Sequence, residues 1–379
     1  MIEKDSKDLL RVLIVGGVRP QFIKCAALKR AIDIFNRNNK VLIQAELVNT
    51  GQHYDDELAG ALINELDLDF NFTIQHDSKN PVEMFGKMIS QLGAYLQEPN
   101  HRPDWVIIFG DANTSLASAL AATKVGLRIA HFEAGTAVRD MPTVEVINGK
   151  LLAHLSNVQL CSSDIAAESL RNYGIREHIY IVGDIAHDFV LDVAQKIAVP
   201  EDEKEYVLVT IHHEENLRRD ILVNIFEALS QKKYHVTCIL HPRTRLMLGH
   251  YDIKSYSNIE INPSLGYSQM LAKIKGSRFL LTDSGGLQRE AYYLKKRCII
   301  RLDVDYWPEL TRAGVHKLIE SNVTSINSGI EWVENVLKSE PYPLIEEMEL
   351  AKAGEKALRI LSDLSFSKSN SISTKEDPL

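Results

Sequence analysis

Residues 280–291 read LLTDSGGLQREA, so that an apolar run ends in Asp283-Ser284-Gly285-Gly286 and a helical pattern follows at once. The apolar run predicts a buried strand, and the residues after the glycines predict a helix. The first turn of a helix has free backbone N–H groups, and the helix dipole adds partial positive charge there. This strand-to-helix step therefore predicts a seat for a phosphate group.

The same alternation of a short apolar run and an amphipathic segment recurs along nearly the whole chain. It predicts an α/β protein whose parallel sheets carry helices on both faces. The predicted strands lie at residues 11–17, 41–51, 104–111, 128–135, 158–163, 179–184, 206–213, 235–242, 259–263, 278–285 and 298–303.

The alternation is interrupted once, at residues 194–206, where a proline and a run of charged residues intervene. We therefore predict two doubly wound, Rossmann-like domains, at residues 1–195 and 196–363, with an interdomain cleft. The polar and aperiodic tail at 364–379 is expected to be disordered. Ligands of such sheets bind beyond the carboxyl ends of the strands, so the residues that follow each strand are the candidate site residues.

Composition excludes several classes of protein. The 379 residues carry a formal net charge of −8, which argues against nucleic acid as a partner. The N-terminus lacks the pattern of a signal peptide and the chain has no run of about 18 apolar residues, so we expect a cytoplasmic protein without membrane insertion. The cysteines have no metal-binding spacing, which predicts buried thiols and no metal site. They are Cys25, Cys161, Cys238 and Cys298.

The first two predicted strands end in polar turns. Gly16-Gly17 follow the first strand and place Arg19 at the expected site, but the turn is not GxGxxG, so a dinucleotide is not favoured. The second strand leads to Gln52 and His53. Both are candidate binding residues, and a capped loop without a ligand is an equally open interpretation.

Carboxylates follow the third and fourth strands. Asp111 and Glu133 are expected to lie at neighbouring strand ends, where a pair with separated pKa values could divide acid and base roles. Asp111 could instead cap the next helix. Glu145 and Asn148 are three residues apart on a predicted helix and share a face. Glu145 is therefore a further candidate site carboxylate, or the face is simply exposed to solvent.

In the second half of the chain, His212 and His213 end one strand and His241 ends the next. Adjacent strand residues point in opposite directions, so at most one of the first two is expected to enter the site. Ser284, Gly285 and Gly286 would donate hydrogen bonds to a diphosphate. Glu290, one turn into the following helix, would accept from ribose hydroxyls, so these four residues together suggest a nucleoside diphosphate.

Seven motifs in this order resemble those of the UDP-N-acetylglucosamine 2-epimerases, over residues 11 to about 361. The forms TGQHYDDEL and RPQFIK are most similar to the non-hydrolysing bacterial branch that serves surface polysaccharides. The motifs are GGVRPQFIK, NTGQHYDDEL, FGDANTSLASA, HFEAG, HHEEN, LHPRTR and TDSGGLQREA.

The resemblance implies a GT-B-like pair of domains and inversion at C2 of a UDP-N-acetylhexosamine by elimination and re-addition of UDP. It implies no cofactor, neither metal nor nicotinamide, and a homodimer. The implied catalytic residues are Asp111, Glu133, Glu145 and His212. The implied substrate-binding residues are Arg19, Gln52, His53, His241, Ser284, Gly285, Gly286 and Glu290.

The chain departs from the family pattern near the sugar. Gly149 stands where the family has an arginine in the helix of Glu145, and Thr136-Ala137 stand where Leu-Arg is usual. Asp305-Tyr306 replace Thr-Glu. These departures leave open a hydrolysing 2-epimerase, a GT-B-like glycosyltransferase and a catalytically altered UDP-sugar-binding protein.

Overall fold

The computed structural model describes residues 8–52, 56–75, 78, 80–136, 143–198, 205–240, 244 and 256–366. The chain forms two compact units. One unit contains the described residues up to Phe189 and from Glu347 onward, and the other contains the described residues of Val190–Glu346.

The first unit is built on a parallel sheet of seven strands in the order β3-β2-β1-β4-β5-β6-β7. Its central strands are buried on both faces, and one core cluster lies between them and the helices α3 and α4 listed below. The strands are β1 Leu9–Gly16, β2 Leu42–Asn49, β3 Phe72–Thr73, β4 Trp105–Phe109, β5 Arg128–Phe132, β6 Val158–Cys161 and β7 Ile179–Ile181. The helices before the second sheet are α1 Arg19–Asn38, α2 Asp56–Glu65, α3 Pro81–Gln97, α4 Asn113–Lys124, α5 Val144–Leu155, α6 Asp164–Asn172 and α7 Ala186–Lys196.

Local sequence explains where several of these helices begin. Pro20 lies in the first turn of α1, where its missing N–H costs nothing. The Asn80 side chain accepts from the N–H groups of Val82 and Glu83 at the start of α3, and Ser163 caps α6 in the same way.

The second unit has a parallel sheet of six strands in the order β10-β9-β8-β11-β12-β13. The strands are β8 Tyr206–Thr210, β9 His235–Ile239, β10 Ile259–Asn262, β11 Leu280–Thr282, β12 Cys298–Ile300 and β13 His316–Leu318. Among the described residues, the further helices are α8 Arg219–Ser230, α9 Tyr267–Gly276, α10 Gly285–Tyr293, α11 Pro308–Arg312, α12 Val323–Ser339 and α13 Ala353–Phe366. Single 3₁₀ turns occur at Pro99–His101 and Glu214–Leu217.

Both sheets reverse their strand order at one point, between β1 and β4 in the first and between β8 and β11 in the second. The prediction of two doubly wound parallel-sheet domains is thus confirmed. Because ligands of such sheets bind outside the carboxyl ends of the strands at the reversal, these two edges position the candidate site residues.

The division of the chain differs from the expected boundaries at its C-terminal end. Residues 347–363 were assigned to the second domain by sequence, but α13 packs on α1 of the first unit. An ideal Cβ on Gly354 would lie 2.5 Å from the Ala31 Cβ, so the two helix backbones approach closely. The apolar face of α13 drives this packing, since Ala357, Leu358 and Leu361 are fully buried.

The structure bears on the predicted C-terminal tail, on membrane-spanning helices and on the state of the cysteines. Residues 364–366 are the last residues of α13, and the remainder of the predicted disordered tail lies outside the described residues. No helix in the described part of the chain has the length and apolar character needed to cross a membrane. The four cysteines are free and buried.

Candidate functional site

Two carboxylates lie at the carboxyl ends of neighbouring strands of the first sheet. β4 and β5 pair in parallel, and the Gly110 N–H donates to the Phe132 carbonyl at 2.9 Å, so Asp111 and Glu133 follow adjacent strand ends. Gly110 and Glu133 have φ values of 60° and 59°. Such a φ is costly for a glutamate, and strain of this kind is concentrated at functional sites. The strand adjacency predicted for this pair is therefore present.

Lys24 is a site residue that the sequence reasoning did not single out. Its ammonium group forms a buried ion pair with the Glu133 carboxylate. Lys24 lies on the buried face of α1 together with Gln21, Cys25 and Leu28. The helical spacing of Lys24 relative to the apolar residues of α1 could have identified it from sequence, because a lysine on the buried face of a helix needs a buried partner.

The Asp111 carboxyl is close to protonation near neutral pH. Burial is the main cause, and the nearby Glu133 and Glu145 carboxylates add to it, while Lys24 acts in the opposite direction. Together they raise the pKa of Asp111 from 3.8 to about 6. A carboxyl with this pKa can both release and accept a proton under physiological conditions.

Asp111 does not provide the cap of the following helix. The N-cap of α4 is Ala112, and the Gln52 Oε1 atom accepts from the Thr114 N–H and from the Thr114 hydroxyl, each at 2.8 Å. Gln52 therefore caps the start of α4 from a distant loop, a contact that the sequence did not predict. His53 lies outside the described residues.

The loop after β1 is closely packed against the start of α4. An ideal Cβ on Gly17 would lie 1.9 Å from the Thr50 hydroxyl and 2.4 Å from the Thr114 hydroxyl, so only glycine fits. Arg19 is the first residue of α1 and is half-buried at this edge of the sheet. The site residue predicted there is thus at the expected strand end.

Helix α5 contributes two polar residues with different environments. Asn148 is buried, and its Nδ2 atom donates to the Asp111 carbonyl at 2.9 Å and to Asn113 Oδ1 at 3.0 Å. Glu145 is exposed, but its charge is close enough to raise the pKa of Asp111. The Lys150 Nζ atom lies 4.8 Å from the centre of the Tyr173 ring.

A buried histidine supports the peptide before Asp111. The His131 Nε2 atom donates to the Gly110 carbonyl at 2.8 Å, which fixes the neutral tautomer with hydrogen on Nε2. Burial lowers the pKa of His131 to about 4, so the ring is uncharged near neutral pH. His131 therefore orients the turn that presents Asp111.

At the edge of the second sheet, the fully buried Asp283 holds His212. The carboxylate accepts from the backbone N–H groups of His212 and His213 at 2.9–3.1 Å and from Asn216 Nδ2 at 3.0 Å. The His212 Nδ1 atom lies 2.8 Å from Asp283 Oδ1. Burial alone would raise the pKa of Asp283, but the bonds from His212 and Asn216 lower it, so the carboxylate is ionised.

This arrangement fixes one ring nitrogen of His212 as a donor to Asp283 and leaves Nε2 for another partner. The imidazole is 47% exposed, so Nε2 can reach a ligand. His213 Nδ1 is 3.8 Å from Glu215 Oε1, and the centres of the two imidazole rings are 4.8 Å apart. Both histidines follow the last residue of β8, so the alternation expected for adjacent strand residues does not apply to them. From sequence, Asp283 was named only as the residue that ends a strand. An acidic residue directly after a buried strand and before Ser-Gly-Gly could have indicated that it holds another polar side chain.

The predicted phosphate seat lies at the start of α10. Ser284 is the N-cap, and its Oγ atom accepts from the Leu287 N–H at 3.4 Å. Among the described residues, an ideal Cβ on Gly286 would meet nothing within 4 Å, and one on Gly285 would meet only Tyr306 Cδ2, at 3.9 Å. Internal packing therefore does not require either glycine, whereas a ligand that approaches the backbone would require both.

Two further expectations concern Glu290 and metals. Glu290 lies one turn into α10 and is half-buried, and His241 is outside the described residues. In the described part of the chain, no group of three or more His, Cys, Asp or Glu side chains is arranged to hold a metal ion.

Comparison with known proteins identifies related chains. A family model described as UDP-N-acetylglucosamine 2-epimerase matches residues 36–361. A UDP-N-acetylglucosamine 2-epimerase homolog from Methanococcus maripaludis is 32% identical over 347 residues, which cover 88% of this chain and 93% of that protein. A UDP-2,3-diacetamido-2,3-dideoxy-D-glucuronate 2-epimerase from Pseudomonas aeruginosa is 32% identical over 324 residues, or 82% of this chain and 88% of that protein.

The fold is also similar to that of a solved structure. The crystal structure of Methanocaldococcus jannaschii UDP-GlcNAc 2-epimerase in complex with UDP-GlcNAc and UDP superimposes with a TM-score of 0.81 at 30% identity. The similarity covers 93% of this chain and 99% of that chain.

Proposed function

The chain belongs to the UDP-N-acetylglucosamine 2-epimerase family, and we propose that it inverts C2 of a UDP-N-acetylhexosamine by elimination and re-addition of UDP. The observation that carries this proposal is the trio of carboxylates in the first unit, in which Asp111 has a raised pKa and Glu133 is paired with Lys24. An isomerase that removes and returns a proton at carbon needs such a set.

In this proposal the first unit acts on the sugar. Asp111 removes the C2 proton from one face of the sugar, because a pKa of about 6 suits a group that takes up a proton and releases it again in each cycle. Inversion then needs a proton on the opposite face of C2, because return on the same face would restore the starting configuration. The other catalytic carboxylates, Glu133 and Glu145, are the candidate donors of that proton. The Lys24 ammonium balances the charge of this acidic set, which would otherwise repel a UDP-sugar.

The second unit holds the UDP. Its seat consists of Ser284 and the N–H groups of Gly285 and Gly286, with Glu290 on the ribose hydroxyls. His212, fixed by Asp283, faces the diphosphate, where its Nε2 atom supports UDP as it departs and returns. Arg19, Gln52, His53 and His241 complete the proposed substrate-binding set.

The reaction is tested with UDP-GlcNAc in deuterated water, followed by NMR of the sugar H1 and H2 signals. We expect UDP-ManNAc that carries deuterium at C2. Free ManNAc together with UDP would instead identify a hydrolysing 2-epimerase. Binding of UDP without any incorporation of deuterium would contradict the proposed chemistry on this substrate.

A second candidate substrate is a UDP-2,3-diacetamido-2,3-dideoxyuronate, because the relative from Pseudomonas aeruginosa is named for that sugar and is as similar as the homolog from Methanococcus maripaludis. The same isotope experiment with both UDP-sugars decides between them by the ratio of kcat/KM. The relatives named above are 2-epimerases, so the glycosyltransferase alternative is not favoured.

We also propose that the protein is a cytoplasmic homodimer. One side of α5 is apolar and exposed, with Val144, Ile147 and Leu151 at 57%, 51% and 47% exposure. The core cluster between the first sheet and helices α3 and α4 also has apolar residues at its margin that are only half-buried. They are Phe85, Ile89 and Leu120. A second copy would remove this surface from water.

Sedimentation of Leu151→Lys tests the dimer. We expect the variant to sediment as a monomer, because a buried ammonium without a partner is unfavourable at an interface. The matched control is Leu344→Lys, which changes a 62% exposed leucine of the second unit and should leave the sedimentation unchanged.

A further inference from the structure

The loop after β12 contacts the start of α10 through one indole group. The Trp307 Nε1 atom donates to the Gly285 carbonyl at 2.8 Å. The Arg289 guanidinium lies 4.2 Å from the centre of the ring, and the Trp307 backbone N–H donates to Asp305 Oδ1 at 3.1 Å, which holds the main chain of the same residue. Trp307 is only 9% exposed, so this position is fixed by packing as well.

The bonded carbonyl belongs to the peptide unit that carries the Gly286 N–H. A peptide unit is planar, so a hydrogen bond that fixes the Gly285 carbonyl also fixes the direction of the Gly286 N–H. A bond to a carbonyl also polarises its peptide unit and makes the N–H a better donor. This N–H lies in the first helical turn, where it has no acceptor within the helix.

We propose that Trp307 is a positioning residue that aims the Gly286 N–H at a phosphate of the bound nucleotide, an inference that rests on the proposed UDP seat. Trp307 itself touches no phosphate in this arrangement. Its indole N–H is the essential group, since a phenylalanine would keep a ring for Arg289 to stack on but would leave the Gly285 carbonyl without its second donor.

The test compares UDP with uridine in Trp307→Phe, by ligand-observed NMR titration. We expect UDP to bind about three- to tenfold more weakly, the effect of one weakened hydrogen bond, with the affinity for uridine unchanged because uridine has no phosphate. The matched control is Trp105→Phe, which removes an indole bond of 2.9 Å to Ser365 Oγ in the first unit and should change neither affinity.

Equal weakening of UDP and uridine in Trp307→Phe would show a general structural role and would overturn the inference, as would an unchanged affinity for both. A wild-type protein that does not bind UDP would instead contradict the proposed function. A measurement on the wild type does not depend on how the variant folds. Addition of UDP should shift the indole N–H signal of Trp307 and leave that of Trp105 in place, and an unmoved Trp307 signal also overturns the inference.

Discussion

At the scale of single residues, Asp111 determines the proposed proton transfer. Asp111→Asn removes the carboxyl but keeps its size, and we expect deuterium incorporation at C2 to fall by about 10²–10⁴-fold, the usual contribution of a general acid or base. Affinity for UDP should change little, because Asp111 belongs to the first unit and the proposed seat to the second.

The matched control is Asp33→Asn, which changes an exposed aspartate of α1 and should retain full exchange. Full exchange in Asp111→Asn would assign the proton transfer to another carboxylate.

The raised pKa of Asp111 also predicts a pH-dependent stability. The folded protein binds the Asp111 proton up to about pH 6, whereas the unfolded chain releases it near 3.8. Stability from this group is therefore present below the unfolded pKa and is lost as pH rises through about 6. With allowance for solvent screening, the loss in free energy of unfolding is on the order of 1–2 kcal/mol.

Urea unfolding of Asp111→Asn and of the wild type at pH 4, 5, 6 and 7 measures this loss. We expect the stability of the variant relative to the wild type to increase with pH across this range. A flat difference for Asp111→Asn would mean that the carboxyl is not perturbed in the folded protein.

Among the secondary-structure elements, the start of α10 is where a substitution should change UDP affinity without lowering the free energy of unfolding. Gly286→Ala should leave the free energy of unfolding unchanged or raise it by up to about 1 kcal/mol, because alanine favours a helix and its Cβ meets no described residue. The same methyl group should weaken UDP binding, because it takes the space above the first helical turn.

The matched control is Gly86→Ala in α3, where a Cβ also meets no described residue within 4 Å. It should show the gain in stability without the loss of UDP affinity, both measured by urea unfolding and titration calorimetry. Equal UDP affinity in the wild type and in Gly286→Ala would remove the glycine pair from the proposed seat.

At the scale of the whole molecule, the first unit takes its helices from both ends of the chain. Gly354→Ala would place a Cβ 2.5 Å from Ala31, between the backbones of α13 and α1. Overpacking of this kind costs about 1–3 kcal/mol, and we expect that loss in urea unfolding followed by fluorescence. Gly93→Ala in α3, which meets no described residue within 4 Å, should show no such loss. Unchanged stability of Gly354→Ala would mean that α13 is not part of the cooperative unit.

Some of the candidate site residues could be predicted from the sequence because they follow strands, and others could not. The alternation of apolar runs placed Asp111, Glu133, His212 and Ser284 after strands, and parallel pairing then brought the first two to adjacent strand ends. Lys24 and Asp283 were missed as functional side chains, because their partners Glu133 and His212 are 109 and 71 residues away along the chain. The catalytic and binding roles themselves remain predictions.

The amino-acid sequence is sufficient to predict the two doubly wound sheets, the family and the Ser-Gly-Gly helix start. These depend on local periodicity and on residues that are adjacent in the chain, so they can be recognised without contacts. Four contacts became visible only in the folded chain: α13 packs with the first unit, Gln52 caps α4, Asp283 orients His212 and Trp307 bonds the Gly285 carbonyl. Each of these depends on which buried polar groups or apolar faces meet across long chain separations, where packing and hydrogen bonding, not local propensity, select the partner.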